Sequence, residues 1–234
     1  LNALLSGAGN TAVGFNSLLG NTTGYFNTAL GYETLKANVG GAANTAVGYF
    51  SLMTNTGNNN TSIGYASLKV NAAGSKNTAV GQEALFTNAS TNENTSLGYQ
   101  AGYSTTGSNN TYLGANAGKG ATGADTSNVG VGASALLAIT SGTDNTVIGT
   151  NAADALLAGI DNVIIGAGAG TATTAVDKTV IIGRAAGQAN MTAAADGSIG
   201  IGYSALNALT LGAKNTAIGY SSASALLQGN RNTS

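Results

Sequence analysis

The side chains that could do chemistry are few in this sequence, and their types exclude most of it. Its 234 residues include no His, Cys or Trp, with nine carboxylates and eight basic side chains. The commonest general base, the thiol nucleophile and the usual transition-metal ligands are therefore missing. Glu33 and Glu83 each stand two residues after the glycine of a recurring motif. In a stack of coils they would lie roughly 14 Å apart. Paired glycosidase carboxylates sit roughly 5 to 9.5 Å apart, so only a neighbouring chain could bring a closer partner, and no enzyme is expected. Asp144, Asp161 and Asp177 follow one another at spacings of 17 and 16 and could stack at one turn. Repeated aspartates of that kind hold calcium in some β-rolls. The full Gly-Gly-x-Gly-x-Asp unit is absent here, so a solvated acidic edge is expected and no metal. The run Gly166-Ala167-Gly168-Ala169-Gly170 resembles a phosphate loop, but no helix follows to supply the amino terminus that such a site needs. It is expected to form turns, and no cofactor is expected anywhere.

Two other columns carry repeated chemistry. Asn occurs at positions 10, 27, 44, 60, 77, 94, 110, 128, 145, 162, 215 and 232 (Asn10, Asn27, Asn44, Asn60, Asn77, Asn94, Asn110, Asn128, Asn145, Asn162, Asn215 and Asn232). Identical amides one layer apart can hydrogen-bond along a stack, as in cross-β ladders, and a structural ladder is expected. Aromatic residues recur at Phe15, Tyr32, Tyr49, Tyr65, Tyr99, Tyr203 and Tyr220, with Gln82 interrupting. Rings in register stabilise neighbouring coils. Such a stripe could also lie against sugar rings or another fibre.

The element that must position these columns is a repeat. "NTAVGF" at 10–15 returns as "NTALGY" at 27, "NTAVGY" at 44, "NTSIGY" at 60 and "NTAVGQ" at 77. The closing glycines are Gly14, Gly31, Gly48, Gly64, Gly81, Gly98, Gly114, Gly132, Gly149, Gly166, Gly183, Gly202 and Gly219. Their intervals of 16 to 19 residues imply stacked supersecondary units. Counted from that marker glycine, the Asn column is at −4, a β-branched residue at −3, Val, Leu or Ile at −1, and Ala, Ser or Thr at +3. The departures from Asn at −4 are Thr179 and Ser198. A second glycine recurs at −7, as in Gly24, Gly41, Gly57 and Gly74. β-Branched alternation between glycines predicts one short strand per unit, with the glycines supplying bends at φ > 0. Helix is excluded, since two or more glycines per unit would each cost about 1 kcal/mol. Fourteen coils, the last cut short at Asn232-Thr233-Ser234, would make a rod roughly 65 to 70 Å long. Leu1 to Leu4 resemble the tail of an earlier unit, so residues 1–234 are expected to be one repetitive β-roll segment of a longer fibre.

Composition agrees. Charged residues make up 7% and net charge is −1, which leaves no basic patch for nucleic acid. No apolar run approaches the roughly 20 residues that span a bilayer, so no membrane insertion is expected.

Internal copies also reveal an exchange of volume between −2 and +4. Ala12, Ala29, Ala46, Ser62, Ala79, Gly130 and Gly200 accompany Leu18, Leu35, Leu52, Leu68, Leu85, Leu136 and Leu206. Tyr112, Val147, Ile164 and Ile181 accompany Gly118, Ala153, Gly170 and Gly187. Ser96 with Gly102 and Ala217 with Ala223 break the pattern. Close packing penalises voids and overfilling alike, so the two columns are expected to share a compartment inside the coil. The residues at −3 and −1 then face outward, and they too are apolar or Thr. A strand apolar on both faces is normally covered on both, which predicts a homo-oligomer, a trimer in the leading arrangement. The open alternative is a lone solenoid with a Thr-rich surface.

The motif Asn-Thr-Ala-Val-Gly followed by Tyr-x-Ala-Leu, as in Asn44–Gly48 and Asn60–Leu68, resembles the head repeats of trimeric autotransporter adhesins. It is similar also to repeats of phage tail-fibre proteins. The likeness covers essentially the whole chain, although the unit here is longer than expected for the adhesin heads. It implies a left-handed parallel β-roll with three chains around one axis, carried outside the cell or on a virion. The expected function is a structural and adhesive fibre segment that multiplies weak contacts, with cell-surface glycans or other fibre proteins as partners. A purely structural self-assembling filament is the alternative. Ice or mineral binding is a third reading, and it would require the Thr array to be flat and exposed. The longer loops Thr87–Glu93, Lys119–Ser127 and Ala172–Lys178 are expected to carry specific contacts.

Overall fold

A computed structural model describes residues 6–120 and 122–234; the reading of Leu1 to Leu4 lies outside them. Contacts group the chain into two compact units, Leu1–Asn110 and Thr111–Ser234. Each is a parallel β-solenoid. In the first unit the strands are β1 (Thr11–Val13), β2 (Thr28–Leu30), β3 (Thr45–Val47), β4 (Thr54–Asn55), β5 (Thr61–Ile63), β6 (Val70–Asn71), β7 (Thr78–Val80) and β8 (Thr95–Leu97). Six of them, β1, β2, β3, β5, β7 and β8, stack in that order into one parallel sheet. The short pair β4–β6 builds a second wall. The second unit holds β9 (Thr111–Leu113), β10 (Val129–Val131), β11 (Thr146–Ile148), β12 (Val163–Ile165), β13 (Val180–Ile182), β14 (Ile199–Ile201) and β15 (Thr216–Ile218), stacked in sequence order. The last repeat copy is present as a single bridge from Thr216 to Thr233.

Register is unshifted: Thr28 pairs with both Thr11 and Thr45, and Ile164 with both Val147 and Ile181. Repeat columns therefore become files along the stack. Each main strand lasts three residues because its marker glycine ends it with φ between 132° and 139°, a region that glycine alone enters readily. The 19-residue interval between Gly183 and Gly202 is taken up by a short 3-10 turn, Ala193–Ala195, which leaves β13 and β14 paired. No α-helix forms among the described residues.

Two of the second glycines, Gly212 (φ 113°) and Gly229 (φ 143°), take the positive φ that the sequence suggested; those of the first unit have a different reason. Gly24, Gly41, Gly57 and Gly74 are not in the positive-φ region. What they need is room: a Cβ on Gly41 would lie 2.3 Å from Asn38 Oδ1 and 2.5 Å from the Gly57 carbonyl oxygen.

Inside the coils, Leu18, Leu35, Leu52, Leu68 and Leu85 are wholly buried with Ala29, Ala46 and Ala79. The −2 and +4 positions do fill one compartment. A Cβ added to Gly170 would sit 3.4 Å from Ile164 Cδ1, and one added to Gly118 would meet the Tyr112 ring at 2.4 Å. Backbone conformation does not set the size, since Leu52 (φ 48°) and Gly170 (φ 60°) share the left-handed region. The exception at Ser96 and Gly102 has an explanation in the neighbouring coil, whose Leu85 Cδ2 stands 3.0 Å from where a Gly102 Cβ would be. Nothing in the structure explains Ala217 with Ala223. The shared compartment sets up a double-mutant cycle. Ile164→Ala is expected to cost about 2–5 kcal/mol and Gly170→Leu about 1–3 kcal/mol. Combined, they should recover at least about 1 kcal/mol of that sum in urea unfolding. Strict additivity would mean separate compartments.

Candidate functional site

The Asn column from Asn27 to Asn215 is buried inside the coils and hydrogen-bonded there, while Asn10 is half-buried and Asn232 exposed. In the first unit the backbone N–H of Asn27 donates to Asn10 Oδ1 (2.8 Å) and that of Asn44 to Asn27 Oδ1 (3.0 Å). The file continues through Asn60, Asn77, Asn94 and Asn110 in the same way. In the second unit Asn128, Asn145 and Asn162 repeat the pattern, as do Asn215 and Asn232. At the two departures a hydroxyl takes part of the role. Thr179 Oγ1 donates to Asn162 Oδ1 (2.7 Å), and Ser198 Oγ accepts from the Asn215 N–H (3.2 Å). The buried amides spend their hydrogen bonds on neighbouring coils, so the file acts as architecture.

A second Asn file was not anticipated. Asn21, Asn38, Asn55, Asn71 and Asn88, seven after the marker, are buried in the first unit. Each amide donates back to the previous one, as from Asn38 Nδ2 to Asn21 Oδ1 (2.9 Å) and from Asn71 Nδ2 to Asn55 Oδ1 (2.7 Å). The two files meet on one carbonyl. Gly41 O accepts from Asn27 Nδ2 (2.8 Å) and Asn38 Nδ2 (2.9 Å), and Gly57 O from Asn44 (3.0 Å) and Asn55 (2.9 Å). In the second unit the +7 positions are apolar at Ile139, Leu156 and Leu209. The 17-residue recurrence was the signal that could have revealed this file.

The aromatic column faces outward, and its rings stack on one another. Centroids are 5.2 Å apart for Phe15–Tyr32, 4.9 Å for Tyr32–Tyr49 and 5.5 Å for Tyr49–Tyr65, with planes within 18° of parallel. Tyr203 and Tyr220 stack likewise in the second unit. Within these two stacks the faces are turned to neighbouring rings and the edges to solvent, while Tyr99, 48% exposed, belongs to neither. Beside it, Lys69 Nζ lies 5.0 Å from the Phe50 ring and 5.4 Å from Phe86, and Phe86 stacks on Tyr103. Cations over rings contribute about 0.5–1 kcal/mol at exposed sites.

The outward strand face has no cover within either unit. Val13 is 55% exposed, Leu30 47% and Leu113 43%, and the threonines at −3 in β1, β2 and β8 are exposed as well. In the first unit every −3 residue is Thr. In the second, four of seven are Val or Ile.

The acidic positions do not converge. Lys36 Nζ contacts Glu33 Oε1 at 2.8 Å and holds that carboxyl below its ordinary range, while Glu83 accepts from Gln100 Nε2 (2.7 Å). Asp144 and Asp161 are exposed at a left-handed turn position, and Asp177 Oδ1 caps the Ile160 N–H (2.8 Å). No group of three His, Cys, Asp or Glu among the described residues could hold a metal ion. Of the long loops, Thr87–Glu93 is partly architectural, since Asn88 is buried and accepts from Thr91 Oγ1. Lys119–Ser127 includes one residue, 121, outside the described set, and Ala172–Lys178 buries Thr173 and Val176. A groove of about 360 Å³ runs along Ser75, Lys76, Asn92, Glu93, Ser108 and Asn109. Its wall is another ladder, in which Ser75 Oγ, Asn92 Oδ1 and Ser108 Oγ accept backbone N–H groups from the preceding coil.

One buried polar pair stands apart. Tyr112 fills the interior of the second unit, and its hydroxyl donates to Asp125 Oδ2 at 2.7 Å. Burial, and then the adjacent Asp125 carboxylate, push the phenol well above its ordinary value. The folded state thus holds this proton more tightly than the unfolded chain. The resulting stability is complete below the unfolded phenol value of about 10 and lost as pH rises above it. Phenolate absorbance from Tyr112 is expected to appear together with alkaline unfolding, and Tyr112→Phe should remove that linked component.

No helix among the described residues is long and apolar enough to cross a membrane. Comparison with protein-family models, curated proteins and solved structures gives no match.

Proposed function

We propose that this chain is a segment of a structural and adhesive fibre, extracellular or on a virion, that self-associates as a homotrimer. The observation that carries this reading is the contrast between the two strand faces. The inner face is filled and hydrogen-bonded, whereas the outer face presents unbroken files of Val, Leu, Ile and Thr to solvent. Contiguous apolar surface of that kind marks an interaction site. Repetition along the stack would turn weak contacts into firm attachment, which suits the resemblance to adhesin heads and tail fibres. Solution mass is the first test: a trimer has three times the chain's 22.6 kDa, and a monomer would overturn the self-association. Glycan-array binding then separates an adhesive head from a plain filament shaft. Replacing Tyr49 and Tyr65 together by Ser is expected to lower stability by about 1–3 kcal/mol through lost stacking. Lost surface binding at unchanged melting would instead make the stripe a contact site. The Thr file of the first unit, exposed at Thr11, Thr28 and Thr95 and half-buried between, keeps ice or mineral binding as the second reading, for which thermal hysteresis is the measurement.

A further inference from the structure

We infer that the edge groove between Lys214 and Arg231 binds an anionic group, a carboxylate or a sulfate, carried by an acidic saccharide. This rests on the adhesive reading above and names the chemistry of its ligand. The groove holds about 350 Å³ and is lined by Ala213, Lys214, Asn230 and Arg231. It lies at the turn just before the Asn column, where the second unit sets the exposed Lys214 and Arg231 in one file. They are one coil, about 4.8 Å, apart along the stack.

The first unit contains the same groove with an anion built in. There Lys76 and Glu93 occupy the positions of Lys214 and Arg231, and Asn92 that of Asn230. The backbones agree. Lys76 and Glu93 are left-handed at φ 59° and 61°, Lys214 and Arg231 at 61° and 58°. Asn92 Oδ1 accepts from the Ser75 N–H at 2.8 Å, and Asn230 Oδ1 from the Ala213 N–H at 2.8 Å. Across the coil step Lys76 Nζ reaches Glu93 Oε1 at 2.8 Å. Side chains of this file therefore meet between neighbouring coils, and in the first unit a carboxylate oxygen lies where they meet.

In the second unit a second cation stands where that carboxylate would be. Like charges in directly opposed positions destabilise each other, and neither Lys214 nor Arg231 has an ion pair among the described residues. Asp196, one coil earlier, instead caps the Asp177 N–H through Oδ1 (2.9 Å) and makes no ion pair with Lys214. An external anion between the two cationic ends takes the role of the Glu93 carboxylate. It accepts from the Lys214 ammonium and from two parallel N–H groups of the Arg231 fork, which suits a planar carboxylate or one edge of a sulfate. Asn230 Oδ1 is held by the backbone, which leaves Nδ2 to donate to a sugar hydroxyl beside the anion. The lining has no aromatic or large apolar side chain, so the groove selects by charge and hydrogen bonding.

The experiment measures binding of the whole chain to three immobilised oligosaccharides, one sulfated, one of uronic acid units and one neutral. Alongside it, NMR follows the Lys214 and Arg231 N–H groups as sodium sulfate is added at fixed ionic strength. Sulfate should shift both groups, and the acidic oligosaccharides should bind while the neutral one does not. Arg231→Glu, which copies the Lys76–Glu93 pair, should weaken that binding by about ten- to a hundredfold, as expected for loss of a charge-assisted hydrogen bond. Lys178→Glu makes the same change of charge two coils away and should leave binding unchanged, being screened at that distance. Glu93→Arg should give the first groove the same pair of cations and add one binding site per chain. A loss from Lys178→Glu as large as that from Arg231→Glu would overturn the site, because net charge alone would then account for binding. Sulfate shifts without binding of either acidic oligosaccharide would overturn the saccharide and leave the anion site. A neutral oligosaccharide that binds where sulfate does not would overturn the site and leave the adhesive reading standing.

Discussion

Gly48→Ala is expected to destabilise the first unit by about 4 kcal/mol, at the top of the range for a point substitution. Two causes add. The backbone there has φ 132°, which alanine reaches only with strain. An added Cβ would also stand 2.5 Å from the Gly64 carbonyl oxygen and 2.8 Å from its carbonyl carbon. Those are backbone atoms of the next coil, held by the Gly64 N–H bond to the Val47 carbonyl (2.9 Å), so neither can yield alone. Gly168→Ala is the control. Gly168 has φ 65° and no atom nearer than 3.8 Å to an added Cβ, and the equivalent position is Ala66 or Ala185 in other coils. Its cost should stay within about 1 kcal/mol. Equal losses at the two sites in urea unfolding would show that stacking of glycine over glycine does not limit the coil.

Asn44→Ala is expected to cost about 2–4 kcal/mol. Asn44 is wholly buried; its Oδ1 accepts from the Asn60 N–H (2.9 Å) and its Nδ2 donates to Gly57 O (3.0 Å). Alanine leaves that N–H without its acceptor, which costs about 1–3 kcal/mol for a buried group, and opens a void. Gly57 O keeps its bond from Asn55 Nδ2 (2.9 Å), which is why the loss should not be larger. Serine should be milder than alanine, because Ser198 already shows a hydroxyl accepting the N–H of the next coil. Asn44→Asp supplies the acceptor but buries a charge, which raises the carboxyl's pKa. Its folded form is favoured once protonated, so the penalty should shrink as pH falls. Urea unfolding at pH 5 and 7 checks both orderings. If Ser and Ala were equally costly, the ladder bond would carry little of the stability.

These two columns suit the proposed role. A fibre that bears load needs each coil locked to the next, and glycine stacking and amide ladders do this without cysteine or a large core. The outer face is then free to vary. Between the units its −3 file changes from Thr in every coil to Val or Ile in four of seven, while the inner Asn file at −4 persists in both.

Much was legible because one chain contains its own internal comparison. The marker spacing specified stacked coils, Thr-x-Val between glycines specified a three-residue strand, and reciprocal sizes such as Ile164 with Gly170 specified which side chains share the interior. These depend on residues close in sequence or one coil apart, where periodicity is the physical signal. Other features arise only when the chain turns its corners. The shared carbonyl of Gly41 joins Asn27 and Asn38 across 14 and 3 residues, so neither column by itself could show why that glycine tolerates no Cβ. Ring orientation is of the same kind: spacing put Tyr32, Tyr49 and Tyr65 in one file, but only side-chain packing turned their faces toward each other. Left-handed backbone at Leu18, Leu35 and Leu52 contradicts local preference, since leucine seldom adopts it. There the burial of the side chain in the coil outweighs the conformational cost, a balance that exists only in the closed tertiary structure.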